Sequence, residues 1–171
     1  MGFRRGIAVV SIGTVVALGI NAAVAGPNGG SETGKRVTQV KTKYGEITVG
    51  TLSGWTPVTA MSMTVPAGTH AIIDVRFDAY GYCTGNASTS GSCLLRIKVG
   101  DKVARPKTAT WIAEQDTGNG NSQEGQWMIE RSSSELGPGT YRIAVQHAAI
   151  GDPSTYFGIQ SWHLIAERIA T

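Results

Sequence analysis

The chain has 171 residues, a length that suits one domain with a sizeable core. It holds 15 Lys and Arg against 12 Asp and Glu; Arg4 and Arg5 lie in a leader without acids, so residues 26–171 keep 13 against 12, a net of +1. So even a balance gives no electrostatic reason to expect nucleic acid or an anionic membrane surface as partner, because both are bound through accumulated Lys and Arg.

Residues 1–25 have the three parts of a secretory signal peptide: Arg4 and Arg5, an apolar run over 7–20, and Ala23-Val24-Ala25 before a cleavage expected after Ala25. The apolar run is shorter than the roughly 20 residues of a membrane span, and no Cys follows the cleavage point to carry a lipid. The expected product is secreted by the general route, without a membrane span. Residues 26–34 (GPNGGSETG) are small and polar and read as a flexible lead-in.

From residue 35 the pattern is β. Residues 37–42 and 46–49 are short runs rich in β-branched side chains, and Met61, Met63 and Val65 alternate with Ser62 and Thr64. Pro66-Ala67-Gly68 supplies a turn. Ile73, Val75 and Phe77 then point one way while Asp74, Arg76 and Asp78 point the other. Cys93, Leu95, Ile97 and Val99 alternate with Leu94, Arg96 and Lys98; Gly100-Asp101 turns the chain into 102–104.

Residues 111–113 and 127–130 are shorter strands on either side of the polar segment 116–125. Leu136-Gly137-Pro138-Gly139 turns into 140–149, where Tyr141, Ile143 and Val145 share a face. Residues 155–158 and 161–169 close the chain, with Trp162, Leu164 and Ala166 on one side of the last strand. Eight to ten short strands at this turn spacing, without helical periodicity, predict an all-β domain over 35–171: a two-sheet antiparallel sandwich of jelly-roll type.

Cys83 and Cys93 enclose nine small or polar residues, and in an exported chain they are expected to form a structural disulfide. A Cys-based metal or redox site needs more ligands or closer spacing.

The stretch from Trp55 through Val65-Pro66-Ala67-Gly68 to Ala79, the Cys83–Cys93 loop and the ending Gly139-Thr140-Tyr141 … Ser161-Trp162-His163-Leu164 resembles small exported bacterial β-sandwich proteins without an established activity. In general form it is similar to jelly-roll domains of the C1q and tumour-necrosis-factor kind. The resemblance implies a fold and carries over no catalytic residue.

No catalytic spacing stands out. Asp74 and Asp78 lie about 13 Å apart along a strand, beyond the roughly 6.5–9.5 Å of an inverting carboxylate pair, so with Arg76 between them they read as a solvated face. His70, His147 and His163 show no metal-ligand spacing, and no G-x-S-x-G elbow occurs. A triad of a Ser, His147 or His163 and Asp152 has no support in spacing, which leaves a secreted hydrolase as the weakest reading.

Residues 116–124 (DTGNGNSQE) carry oxygen ligands suited to Ca²⁺ but put Gly118 and Gly120 where an EF-hand needs donors. No cofactor is therefore expected, calcium being the sole candidate. Of four tryptophans, Trp162 falls in the core register, while Trp111 and Trp127 flank the polar segment. With Asp116, Asn119, Asn121 and Glu124 they form the candidate ligand-binding set, since sugar-binding sandwiches stack rings on exposed aromatics, although packing in the core or under the segment is the favoured reading of the rings themselves. The expectation is a non-enzymatic extracellular binding or surface-associated module, its ligand a glycan or another protein.

Overall fold

The computed structural model describes residues 30–33, 36–51, 54–85, 91–108, 110–114 and 123–171, with backbone alone at 30–33, 110–114 and 123. Ten strands follow one another: β1 (Gly30–Thr33), β2 (Arg36–Gly50), β3 (Thr56–Val65), β4 (Ala71–Thr84), β5 (Gly91–Val99), β6 (Lys102–Val103), β7 (Thr110–Glu114), β8 (Gln123–Ser132), β9 (Gly139–Gly151) and β10 (Tyr156–Ala170). One sheet has the order β1-β2-β10-β4-β8; the other runs β3-β9-β5, with β6 and β7 on successive stretches of the free edge of β5. All pairings are antiparallel. β2-β10-β4-β8 over β3-β9-β5-β7 is the winding of a jelly roll, so the expected fold class holds.

The period-2 pattern decides what lies between the sheets. Ile73, Val75 and Phe77 of β4, Leu95 and Ile97 of β5, Ile143 and Val145 of β9, and Trp162, Leu164 and Ala166 of β10 are all buried in one core. A one-residue slip in any of these strands would turn its whole apolar set out to water, which fixes the register. Tyr141 lies half-buried against the core and donates its hydroxyl to the Gly137 carbonyl at 2.9 Å, pinning the turn that feeds β9.

Several boundaries differ from the sequence reading. Residues 37–42 and 46–49 belong to one long strand, β2, which carries Gly45 at φ 127° in its middle. The final two runs merge into β10, with an irregularity between Ile159 and Ser161. Residues Gly30–Thr33, inside the expected flexible lead-in, pair with Arg36–Gln39 as β1. An open strand edge offers unpaired backbone groups to a neighbouring segment whatever its side chains.

Two glycines stand where β4 and β10 pair most closely. A Cβ at Gly158 would run into the Tyr82 ring, and one at Gly81 into the Gly158 carbonyl. Tyr82 thus lies over its glycine neighbour on β10, an aromatic covering the gap a glycine leaves in a sheet.

Cys83 and Cys93 are disulfide-bonded with Cα atoms 5.8 Å apart, and both are fully buried. The bond ties the end of β4 in one sheet to β5 in the other. Loop-closure entropy for a loop this short is worth about 2–3 kcal/mol. Cys83→Ala/Cys93→Ala is expected to lose that amount in urea unfolding; an unchanged midpoint would show that the two sheets hold without the staple.

Candidate functional site

The outward positions of β2, β10, β4 and β8 form a grid. Across the sheet the rows read Thr48, Gly158, Tyr82 and Glu124; then Tyr44, Ser161, Tyr80 and Gln126; then Thr42, His163, Asp78 and Met128. Val40, Ile165, Arg76 and Glu130 follow, then Thr38, Glu167, Asp74 and Ser132. Alternation that buries one face must expose the other, so this grid is the direct counterpart of the core.

Its composition is not that of an inert face. Five large hydrophobic side chains are exposed among the described residues, and four of them, Tyr44, Tyr80, Met128 and Tyr156, stand here. Six carboxylates share the face: Glu46, Asp74, Asp78, Glu124, Glu130 and Glu167. Arg36 and Arg76 are the cations among the outward positions, leaving a net of −4. Arg36 pairs with Glu167, and Arg76 with Asp78 at 3.3 Å; such exposed pairs contribute little stability.

The tyrosine hydroxyls are held by acids. Tyr82 donates to Glu46 and Tyr80 to Glu124 at 3.1 Å. Glu46 as acceptor, together with burial and its charge, pushes the Tyr82 hydroxyl up to about 12. The bond to Glu124, and then that carboxylate's charge, raises Tyr80 above its ordinary range. Both phenols stay protonated donors in any physiological medium.

Two hollows mark the face, one of about 140 Å³ lined by Asp78, Tyr80, Gln126, Ser161 and His163, the other of about 130 Å³ beside Asp74, Arg76, Glu130 and Glu167. Small-molecule pockets run to roughly 300–1,000 Å³, so these are relief on a broad surface. A hollow of about 410 Å³ does open at one end of the sandwich, between the Pro66–Gly68 turn and the last residues of β10, but among the described residues His70 and Arg168 are the charged or titratable side chains that line it.

The outer face of β3-β9-β5 has the opposite character. Those three strands contain no acidic residue, and Arg96, Lys98 and Arg142 stand outward. The Arg96 guanidinium lies 4.1 Å over the Trp55 ring and its Nε donates to Gln146 at 2.8 Å. Glu114 of β7 sits in register with Ser92, at the far end from Lys98 and Arg142.

Of the residues nominated from sequence, Glu124 is exposed on the acidic face, beside Tyr80 and Tyr82. Trp127 does not form an exposed platform: it packs edge-to-face on Phe157 at 5.9 Å, half-buried against the core. Its place opposite Ala79 on β4 puts it in the inward register. Trp111 pairs with Leu94 in β7, and its side chain, with Asp116, Asn119 and Asn121, lies outside the described residues.

The catalytic constellations do not assemble. His147 is sealed in the core, 5.5 Å from Phe157, with neither ring nitrogen bonded among the described residues. Burial lowers it from 6.5 to about 4, so it is a neutral imidazole. Asp152 accepts from the Ser154 amide and hydroxyl within its own turn. Asp78, Ser161 and His163 do share a hollow, yet His163 Nδ1 bonds Thr42 at 3.0 Å and Asp78 pairs with Arg76. Among the described residues no group of three or more His, Cys, Asp or Glu converges as a metal would require.

The sequence reading missed Tyr44, Tyr80, Tyr82, Met128 and Tyr156. Carrying the alternation of Asp74, Arg76 and Asp78 two steps further reaches Tyr80 and Tyr82, so that part of the face was within reach.

No family model matches the chain, and no curated protein sequence does. Solved structures do match. The structure of infectious bursal disease virus, Gx strain, aligns with 95% of this chain and 42% of its own at 10% identity and a TM-score of 0.31. The crystal structure of that virus's VP2 subviral particle aligns with 94% of this chain and 45% of its own at 11% identity and a TM-score of 0.35. This chain spans less than half the length of either. No role passes from those particles to this protein.

Proposed function

We propose that the protein is a secreted, non-enzymatic recognition module that works through the outer face of β2-β10-β4-β8. The observation that carries this reading is the concentration there of four exposed large hydrophobic side chains with six carboxylates. Exposed apolar groups interleaved with charge mark contact surfaces, whereas singly scattered ones are ordinary. The shallow relief favours a macromolecule over a small ligand, and the negative charge favours a cationic one. The disulfide supports the oxidising compartment that the leader implies.

Amide correlation spectra recorded with soluble polysaccharides (xylan, β-glucan, chito-oligosaccharides) and with an oligo-lysine peptide test this reading. Oligo-lysine is expected to perturb amides of 74–82, 124–130 and 156–167, and no polysaccharide is expected to shorten. No perturbation by either kind of probe, perturbation confined to β3-β9-β5, or hydrolysis of any polymer would contradict it.

A further inference from the structure

We infer that the partner of the acidic face is the basic face of a second copy of this chain, so that copies stack front to back. This rests on the reading of the β2-β10-β4-β8 outer face as the recognition surface. The two faces complement each other in charge and in apolar content. One presents a net of −4 with Tyr44, Tyr80, Met128 and Tyr156 among its acids. The other presents Arg96, Lys98 and Arg142, without an acid in its three main strands, beside Trp55 and the exposed Ile150. Residues 26–171 hold 13 basic against 12 acidic side chains, a net of +1, so the charge of that stretch is segregated front from back and not missing.

The geometry sets the strength of the contact. Four strands span about 19 Å and nine residues along a strand about 30 Å, an area near 570 Å² per copy and about 1,100 Å² in all. That lies at the lower edge of specific interfaces, which bury about 1,200–2,000 Å², so the contact is weak and dependent on charge. A front-to-back contact uses two different patches and leaves one of each free at the ends. It does not close on itself as a two-fold dimer does, and copies keep adding.

Sedimentation of the purified protein tests this. At about 20 mM salt, where screening extends about 20 Å, weight-average mass is expected at least to double as concentration rises into the millimolar range. At about 0.5 M salt the protein is expected to sediment as a monomer, because the attraction is screened within about 4–5 Å. Two variants sharpen the result. Lys98→Gln/Arg142→Gln leaves Arg96 as the one cation of the three on the basic face, and Asp78→Asn/Glu124→Gln/Glu130→Gln cuts the acidic face from a net of −4 to −1, so each variant keeps one face at full strength.

Each variant alone is expected to stay monomeric, and an equimolar mixture to form dimers and nothing larger, since each partner has one working face. These are surface changes with little effect on folding, and the salt series on the unaltered protein stands without them. A protein monomeric at every concentration in low salt, association indifferent to salt, variants that still associate alone, or a mixture that stays monomeric would each overturn the inference. If oligo-lysine still perturbs the acidic face while copies fail to associate, the recognition face stands and the second copy falls as its partner.

Discussion

Trp162→Ala is expected to lower the unfolding free energy by about 3–5 kcal/mol, the range for deleting a large aromatic from a packed core. Trp162 sits at the centre of β10, the strand between β2 and β4, and is almost wholly buried. Its ring packs at 6.0 Å from Phe77, and the Lys41 ammonium lies 6.0 Å over it while donating to the Ala60 carbonyl at 3.0 Å. Truncation removes apolar contact on both flanking strands and leaves a cavity that two sheets held in register cannot close. Trp55→Ala makes the comparison. That ring is half-exposed and stacks with Arg96, so its loss is expected to cost about 0.5–1 kcal/mol. Urea unfolding of both variants measures the contrast; equal losses would place Trp162 outside the core.

The second large effect is acid destabilisation through His147. Its folded value is about 4, below the 6.5 of the unfolded chain. Between those values the unfolded state binds a proton that the folded state refuses. The stability contribution is therefore complete above pH 6.5 and is lost as pH falls toward 4. Integrating over that window gives a loss of about 3 kcal/mol by pH 4. His147→Leu is expected to remove this slope while changing stability at pH 7 by less than about 1.5 kcal/mol, since no hydrogen bond to the ring among the described residues is broken. Tyr80 and Tyr82 are raised above 10 and do not titrate in this window. Identical pH–stability curves for the two proteins would show that His147 is charged or solvated in the folded state.

How legible was this molecule in its sequence? The core was, because alternation is a local signal. Ile73, Val75, Phe77, Ile143, Val145, Trp162 and Leu164 all lie where a period of two places them. Strand boundaries were less so. Gly45 and the irregularity after Ile159 look like breaks when read along the chain, yet the sheet carries the strands through both, since pairing to neighbours outweighs one weak position. β1 shows no local signature because what holds it is the open edge of β2.

The candidate site was half hidden for a related reason. A surface is defined by which strands lie side by side, and β4, β8 and β10 come together from residues far apart in the chain. Glu124 was found from its polar segment. Tyr80, with Ser161 and Gln126 on either side, becomes visible only with the register. For Trp127 the favoured reading is packing and a ligand platform the alternative; its position opposite Ala79 turns it inward, as the packing reading has it.

Two methionines on strands of opposite sheets give the sharpest test of the fold and of its outer face. Met63 on β3 is 1% exposed and Met128 on β8 is 61% exposed, though both sit in alternating sequence. Hydroxyl-radical footprinting of the dilute protein is predicted to oxidise Met128, Tyr44, Tyr80 and Tyr156 while sparing Met63, Phe77, Phe157 and Trp162. Oxidation of Met63 or Trp162 as fast as Met128 would mean that the dry interior and the aromatic outer face have been assigned the wrong way round.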